Sequence, residues 1–463
     1  MYRFYILFLI MPLICISLNG FAEENDPLLY EANTAFELDD YALALRDYTE
    51  LAERNVPEAQ MRLALMYEKG KGTAQDYQQA IKWYRKAANK GFAPAQNAIG
   101  VLFEKGLGSG VNFARAMVWY RMAADKNDPA GQTNLGNLYE QGLGIQRDYK
   151  QAIAWYKKAI EQNYPRAEYY LGLLYEQGLG IEQDFDKAVS WYTKAAEQGH
   201  IPSQNTLGFM YRVGYGVKQN LASSAHWYLR SASAGDPRGQ DSLGYMYENG
   251  YGVRQNYGNA ERWYRKAAMQ GDAEAQYHLG FVYEKGLGFT KDEKEALKWY
   301  REAAKQGVAE AQYRLGRFYE LGKIVKRNYA KASKLYHKAA RQGFAEGQIA
   351  FARLVENGHG IKQNLAEAFK WYRKAAEQGN SIGQDSLGVM YELGKGTKQN
   401  LLQAYKWYNL SLNHGVAQAE RHINRVAGKL TPEQINKVKN MLATWQASSS
   451  TLTEERRELI VAR

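Results

Sequence analysis

The residues that recur at fixed spacing are the first candidates for chemistry. A glutamate returns as Glu68, Glu104, Glu140, Glu176, Glu248, Glu284, Glu320, Glu356 and Glu392. Paired carboxylates serve general acid–base catalysis when both reach one reacting bond. A residue present in nearly every unit stands one unit away from its copies, so this column reads as architecture. A Gly-x-Gly element appears nine times, for example Gly106-Leu107-Gly108. A phosphate-binding loop follows a strand and occurs once, so the element reads here as a turn between helices. His414 and His422 are the closest pair of the 7 histidines and lack ligand company; His278 and His422 share a repeat phase but stand 144 residues apart. There is no H-E-x-x-H, no G-x-S-x-G elbow and no S-x-x-K. The single cysteine, Cys15, excludes a disulfide scaffold and a cysteine-based metal site. No catalytic, cofactor-binding or metal-binding residue is expected, and a hydrolase is the least favoured reading.

The elements behind these columns form one repeat. Trp stands at 83, 119, 155, 191, 227, 263, 299, 371 and 407, always 36 residues or twice 36 apart, and Leu335 fills the gap. Tyr follows in all ten copies, from Tyr84 to Tyr408. Such self-similarity means a stacked array rather than the three domains that 463 residues would otherwise suggest. The units fall at 57–92, 93–128, 129–164, 165–200, 201–236, 237–272, 273–308, 309–344, 345–380 and 381–416.

Each unit reads as two helices. In the third, Pro129 suits a first turn, and Leu135, Gly136 and Tyr139 mark one face. Gly142 and Gly144 end that helix. Asp148 caps a second helix whose buried face is Ala152, Trp155, Tyr156 and Ala159, and Asn163 stops it. The mid-helix glycine at 100, 136, 172, 208, 244, 280, 316 and 388 costs about 1 kcal/mol against alanine, so its recurrence implies close approach of the partner helix. The Trp-Tyr column reads as core, not as a sugar-stacking ladder.

The pattern A-x-Q-x-x-L-G-x-x-Y-E-x-G-x-G-[VI]-x-[QK]-[DN]-[YFL]-x-x-A-x-x-W-Y-x-K-A-A-x-x-G resembles the Sel-1-like repeat, a relative of the tetratricopeptide repeat, over residues 57–416. The resemblance implies an all-α fold: a right-handed superhelical solenoid of antiparallel helix pairs whose first helices line a concave surface. It also implies a scaffold or adaptor role, often in bacterial envelopes or in contact with hosts. Cysteine-rich members of the family are associated with β-lactam binding or hydrolysis and carry a Cys pair in each repeat. This chain lacks those cysteines, so that activity is not carried over.

The ends differ from the middle, as an array requires. Residues 27–56 read as a shorter capping hairpin turning at Asp39-Asp40. Residues 417–446 read as capping helices, with Thr431-Pro432-Glu433-Gln434 a capping box. Residues 447–463 read as a mobile tail. Residues 1–22 combine Arg3, an apolar run from Phe4 to Leu18 and Gly20-Phe21-Ala22, the pattern of a secretory signal peptide cut after Ala22. The run is shorter than the roughly 20 residues of a membrane span, and Ile14 before Cys15 argues against a lipoprotein. Cleavage leaves a periplasmic or secreted chain without a thiol, and loss of Arg3 lowers the net charge from +11 to +10. That charge is not the dense patch of a nucleic-acid binder.

What varies between units points to partners. Positions equivalent to 61 and 65 lie off the Leu-Gly-Tyr stripe, four apart on one face. In units four to eight they are largely aromatic, and they turn basic at Arg317 and Arg353. Tyr169, Phe209, Asp241, Tyr245, Tyr277, Phe281, Tyr313, Arg317 and Arg353 are the candidate binding residues, with Asp241 and Arg353 flanking the patch by opposite charge. Aromatics beside arginine are what binding hot spots use. Two readings remain open: these side chains contact a partner, or they pack between adjacent first helices. The partner class expected is another protein or an extended peptide in the concave groove; the alternative is an envelope polysaccharide or peptidoglycan. Ile324, Leu335, Ala352 and Val355 break the pattern in units eight and nine, by drift or as a bend or docking site.

Overall fold

A computed structural model describes residues 26–443 and 445. The signal segment at 1–22 and the tail at 447–463 lie outside the described residues. The chain divides into two compact units between His200 and Ile201. The first holds α1 (Pro27–Glu37), α2 (Tyr41–Glu53), α3 (Pro57–Lys69), α4 (Tyr77–Asn89), α5 (Ala93–Lys105), α6 (Phe113–Asp125), α7 (Pro129–Gln141), α8 (Tyr149–Ile160), α9 (Pro165–Gln177) and α10 (Phe185–Glu197). The second holds α11 (Ile201–Val213), α12 (Leu221–Ser233), α13 (Pro237–Asn249), α14 (Tyr257–Met269), α15 (Ala273–Lys285), α16 (Glu293–Gln306), α17 (Ala309–Leu321), α18 (Tyr329–Arg341), α19 (Ala345–Asn357), α20 (Leu365–Glu377), α21 (Ser381–Leu393), α22 (Leu401–Asn413) and α23 (Gln418–Ala427). A last helix, α24, spans 432–443. Among the described residues there is no strand.

Local chemistry sets these boundaries. In all ten repeats an Asp or Asn before the second helix accepts backbone N–H groups of its first turn; Asp76, Asp148 and Asp292 each accept two. First helices end on a left-handed glycine such as Gly250, φ +70°. Two residues on, a Cβ at Gly252 would lie 2.0 Å from the Leu221 carbonyl oxygen, so this turn presses on the start of the preceding second helix. Thr431 N donates to Gln434 Oε1 at 2.9 Å and Gln434 N donates to Thr431 Oγ1 at 3.3 Å, a reciprocal capping box.

Each pair closes on a tyrosine. Tyr84, Tyr120, Tyr156, Tyr192, Tyr264, Tyr300, Tyr336 and Tyr408 are buried almost completely. From Tyr120 on, these rings fill the space left by the mid-helix glycine: a Cβ at Gly244 would lie 2.7 Å from the Tyr264 ring. Their hydroxyls donate to the recurring glutamate, 2.6 Å for Tyr264 to Glu248 and 2.7 Å for Tyr300 to Glu284. The glutamate column is thereby spent on joining the two helices in nine of the ten repeats. Alanine replaces the glycine at 64 and 352; the bond from Tyr84 to Glu68 is 2.8 Å and that from Tyr372 to Glu356 is 3.1 Å.

The tryptophan expectation needs correction. Trp83, Trp155, Trp227 and Trp407 are buried, but Trp119, Trp191, Trp263, Trp299 and Trp371 are only half-buried. In six repeats a Lys or Arg three residues on covers the ring, as Lys86 does over Trp83 at 3.9 Å and Lys266 over Trp263 at 4.0 Å; Met122, Glu302 and Leu410 stand there beside Trp119, Trp299 and Trp407. Tyr, not Trp, is the core anchor.

The irregular units keep their helices. Ile324 does not take the left-handed backbone of the glycine it replaces. It packs with Val325 and Leu335 on the core around Tyr300, Leu315 and Phe318. Val355 is smaller than the usual Tyr, and Phe351, one turn earlier, is larger than the usual Leu; both are buried. The larger Phe351 makes up part of the volume that Val355 gives up, and a core tolerates best the swaps that keep total volume near constant.

Candidate partner-binding face on the first helices

Odd-numbered helices are the first members of their pairs, and successive ones touch: α5 with α7, α13 with α15, α17 with α19, and α19 with α21. In the second unit this row carries eight of the nine candidates. Phe209, Asp241, Tyr245, Tyr277, Phe281 and Tyr313 are half-buried, and Arg317 and Arg353 are exposed. Tyr169, in the first unit, rests against Tyr170, Tyr192 and His200.

The aromatic members pack within their own pairs and keep part of each ring exposed. Tyr277 lies 6.4 Å from Phe281 and 6.0 Å from Tyr300, the core tyrosine of its own pair. Tyr313 lies 5.7 Å from the equivalent Tyr336 and 5.5 Å from Phe344. Tyr277 and Tyr313 lie off the Leu-Gly-Tyr stripe, yet one part of each ring finishes its own pair while the rest meets solvent. Tyr245 and Tyr277 are joined through His278, 6.3 Å from one and 5.4 Å from the other.

The two flanking charges are not free. Asp241 Oδ1 lies 2.8 Å from His278 Nδ1, and Arg353 Nη2 donates to both Glu320 oxygens at 2.8 and 2.9 Å. Burial pulls the His278 imidazole down, but the hydrogen bond and charge of Asp241 outweigh it, so the pKa rises above 6.5. Asp385 and His422 repeat this link at 2.8 Å, and Asn134 Nδ2 donates to Asn97 Oδ1 at 2.7 Å in the first unit. Arg317, by contrast, has no carboxylate within 4 Å among the described residues.

Arg212, His278 and Arg314 belong to the face but were missed as candidates. Arg212 stands where other units place the glutamate, and its guanidinium lies 5.6 Å from the Phe209 ring and 5.8 Å from the Tyr245 ring, bridging two helices. Arg314 covers Phe281 at 5.3 Å and pairs with Glu284 at 3.5 Å. The signal was available: Arg212 interrupts the glutamate column, and the position after each candidate in the 61 column faces the candidate of the preceding unit.

Among the described residues no group of three His, Cys, Asp or Glu side chains could hold a metal ion, and no helix is long and apolar enough to cross a membrane. The arrangement offers apolar steps, hydrogen-bond donors and cations for recognition.

The Sel1 repeat model matches residues 57–92, 93–128, 129–164, 165–200, 201–236, 237–272, 273–308, 309–344, 345–380 and 381–416. Comparison with curated proteins finds no match. Among solved structures, a protective antigen present in uropathogenic Escherichia coli strains, displaying an SLR fold, is 32% identical. That alignment covers 89% of this chain and 97% of the antigen, with a TM-score of 0.50. A Sel1 repeat protein from Oxalobacter formigenes is 30% identical over 67% of this chain and 90% of its own, with a TM-score of 0.54. With ten consecutive repeats matched, and this identity sustained over most of its length, the chain belongs to the Sel1 repeat family.

Proposed function

We propose that this chain is a non-enzymatic scaffold of the bacterial cell envelope that holds a protein partner or extended peptide on the first-helix face of its second unit. Sel1-type helical repeats are typically protein-interaction scaffolds, which sets the class. The observation that carries the site is the conjunction of half-buried Tyr245, Tyr277, Phe281 and Tyr313 with Arg317, a cation without a carboxylate partner among the described residues. Rings already held by their own pair lose little entropy on binding, and aromatic and Arg side chains dominate interface energies, often at about 2 kcal/mol or more each. The envelope assignment rests on the apolar run Phe4–Leu18 followed by Gly20-Phe21-Ala22. The similar uropathogenic antigen supports a role outside the cytoplasm.

The test compares capture by the wild-type chain and by a Tyr277→Ala/Phe281→Ala variant of equal helicity, offered envelope proteins and cell-wall polymer separately. Proteins captured by the wild type and lost with the variant support the reading. Unchanged capture by a folded variant removes the site, and capture of polymer alone turns the reading to the polysaccharide. The mass of the chain recovered from the envelope fraction checks export: a full-length product there defeats cleavage after Ala22.

A further inference from the structure

From Leu321 to Ala345 the chain has no Asp or Glu and seven cations: Lys323, Lys326, Arg327, Lys331, Lys334, Lys338 and Arg341. All seven are exposed. None has a carboxylate within 4 Å among the described residues, although Lys331 leans on Tyr319 and Arg327 on Tyr329. Four of them form a stripe. Lys331, Lys334, Lys338 and Arg341 follow one another on α18 at steps of three, four and three residues, on the side opposite buried Ala332, Tyr336 and Ala339.

The neighbouring helices show that this is not a general feature of the layer. At the same four positions α16 carries Glu295, Lys298, Glu302 and Lys305, joined as Lys298–Glu295 and Lys305–Glu302 ion pairs. On α20 the positions hold Glu367, Lys370, Lys374 and Glu377, and Glu377 also pairs with Arg373 at 3.3 Å. Both neighbours neutralise themselves, and α18 does not. It also lacks the tryptophan on which the repeat's lysine normally rests, as Lys374 rests on Trp371 at 4.5 Å. With Leu335 in that place, Lys338 has no ring to lie over.

We infer that the α18 stripe, on the second-helix layer, is a second docking site, separate from the first-helix face, and that its occupant is an acidic helix of a protein partner. Its cations rise about 4.5, 6 and 4.5 Å along the axis, since a helix advances about 1.5 Å per residue. An acidic helix lying along α18 with carboxylates at i, i+3, i+7 and i+10 meets them at matching heights. An extended chain places same-side residues about 6.6–6.8 Å apart and drifts out of register. The exposed face of α18 carries no large apolar side chain, and the nearest exposed one is Leu321 at the end of α17, so the stripe itself gives a lipid surface nothing to bury and a nucleic acid no ring to stack on.

The experiment measures anisotropy of a labelled helical peptide with Glu at that spacing, against the full chain at about 0.1 M salt. The comparisons are a scrambled peptide of equal composition, phosphatidylglycerol-containing vesicles, and polygalacturonate. Lys334→Glu/Lys338→Glu should weaken peptide binding by about tenfold or more, whereas the same reversal on α4, Lys82→Glu/Lys86→Glu, should change it by less than about twofold, because screening at ordinary salt confines exposed charges to about 10 Å. Circular dichroism checks both, and Lys334→Gln/Lys338→Gln replaces the reversal if that variant misfolds. Equal loss from the α4 reversal, equal binding of the scrambled peptide, no peptide binding, or preference for vesicles or polygalacturonate each overturns the inference. A Tyr277→Ala/Phe281→Ala chain should bind the peptide normally, so failure of the first-helix reading and failure of this one are separately visible.

Discussion

α7 in the first unit and α15 in the second obey the same pattern and present opposite surfaces. Both place glycine against a tyrosine, Gly136 against Tyr156 and Gly280 against Tyr300, and both tyrosines bond a glutamate of their own pair. At the two variable positions α7 carries Thr133 and Asn137, and α15 carries Tyr277 and Phe281. From Gly131 to Tyr139 every residue of α7 is buried. Thr133 Oγ1 donates to the Pro129 carbonyl, and Asn137 accepts from Gln141. On α15 the two rings keep a face toward solvent. The repeat pattern therefore builds the pair but leaves its outer face undecided. Small polar residues satisfied within their own helix go with a closed face, and large rings leave a stepped one.

The shared frame predicts the largest effect. A Cβ at Gly136 would lie 2.7 Å from the Tyr156 ring and one at Gly280 2.8 Å from the Tyr300 ring. Gly136→Val and Gly280→Val should each cost about 3 kcal/mol or more, since overpacking at a rigid contact moves backbone as well as side chains. Urea unfolding followed by circular dichroism measures both. A variant tolerated in one unit and not in the other would break the claim that the pairs are built alike.

The variable positions predict a smaller effect that differs in kind. Asn137→Ala removes a buried polar side chain and should cost about 1–2 kcal/mol of stability with capture of a partner unchanged. Phe281→Ala removes a half-buried ring and should cost a similar amount, but should also weaken capture by roughly tenfold or more if the ring is a hot spot. Stability and capture measured on both variants decide whether the two faces differ in function as they differ in burial.

Most of the fold was legible in the sequence because it is written ten times. Caps and the Leu-Gly-Tyr stripe depend on contacts within one pair, the second turn glycine on a contact with the preceding pair that recurs along the array, and the repetition exposes them. What escaped lies between neighbours or on the rim. The sequence treats Trp263 and Tyr264 as one core dipeptide, yet adjacent helical residues point about 100° apart, so only the tyrosine enters the pair and the tryptophan waits for Lys266. Asp241 reads as a free charge until the following helix brings His278 to it, 37 positions later. Arg317 and Arg353 share a phase, but only Arg353 reaches a glutamate of the preceding pair. Side-chain reach across a helix–helix contact is not a property of either residue's column.

The smallest effect comes from the link between neighbouring first helices, and it sharpens the comparison most. In the first unit the link is Asn97 with Asn134; in the second it is Asp241 with His278 at the equivalent positions. The first cannot titrate. In the second, burial lowers the imidazole pKa and Asp241 raises it by more, with Glu248 and Glu274 adding in the same direction, so the folded value stands above 6.5. A histidine that holds its proton more tightly when folded contributes stability that is complete below its unfolded pKa and is lost as pH rises through the folded one. The contribution is under about 1 kcal/mol, the usual range for a pair that water still reaches. Asp241→Asn/His278→Asn writes the first unit's link into the second. The wild type should exceed this variant in stability by most near pH about 5.5, and the gap should close above about pH 8. A gap that stays constant across that range would mean the pair acts through shape alone, and one that widens with pH would reverse the assigned direction.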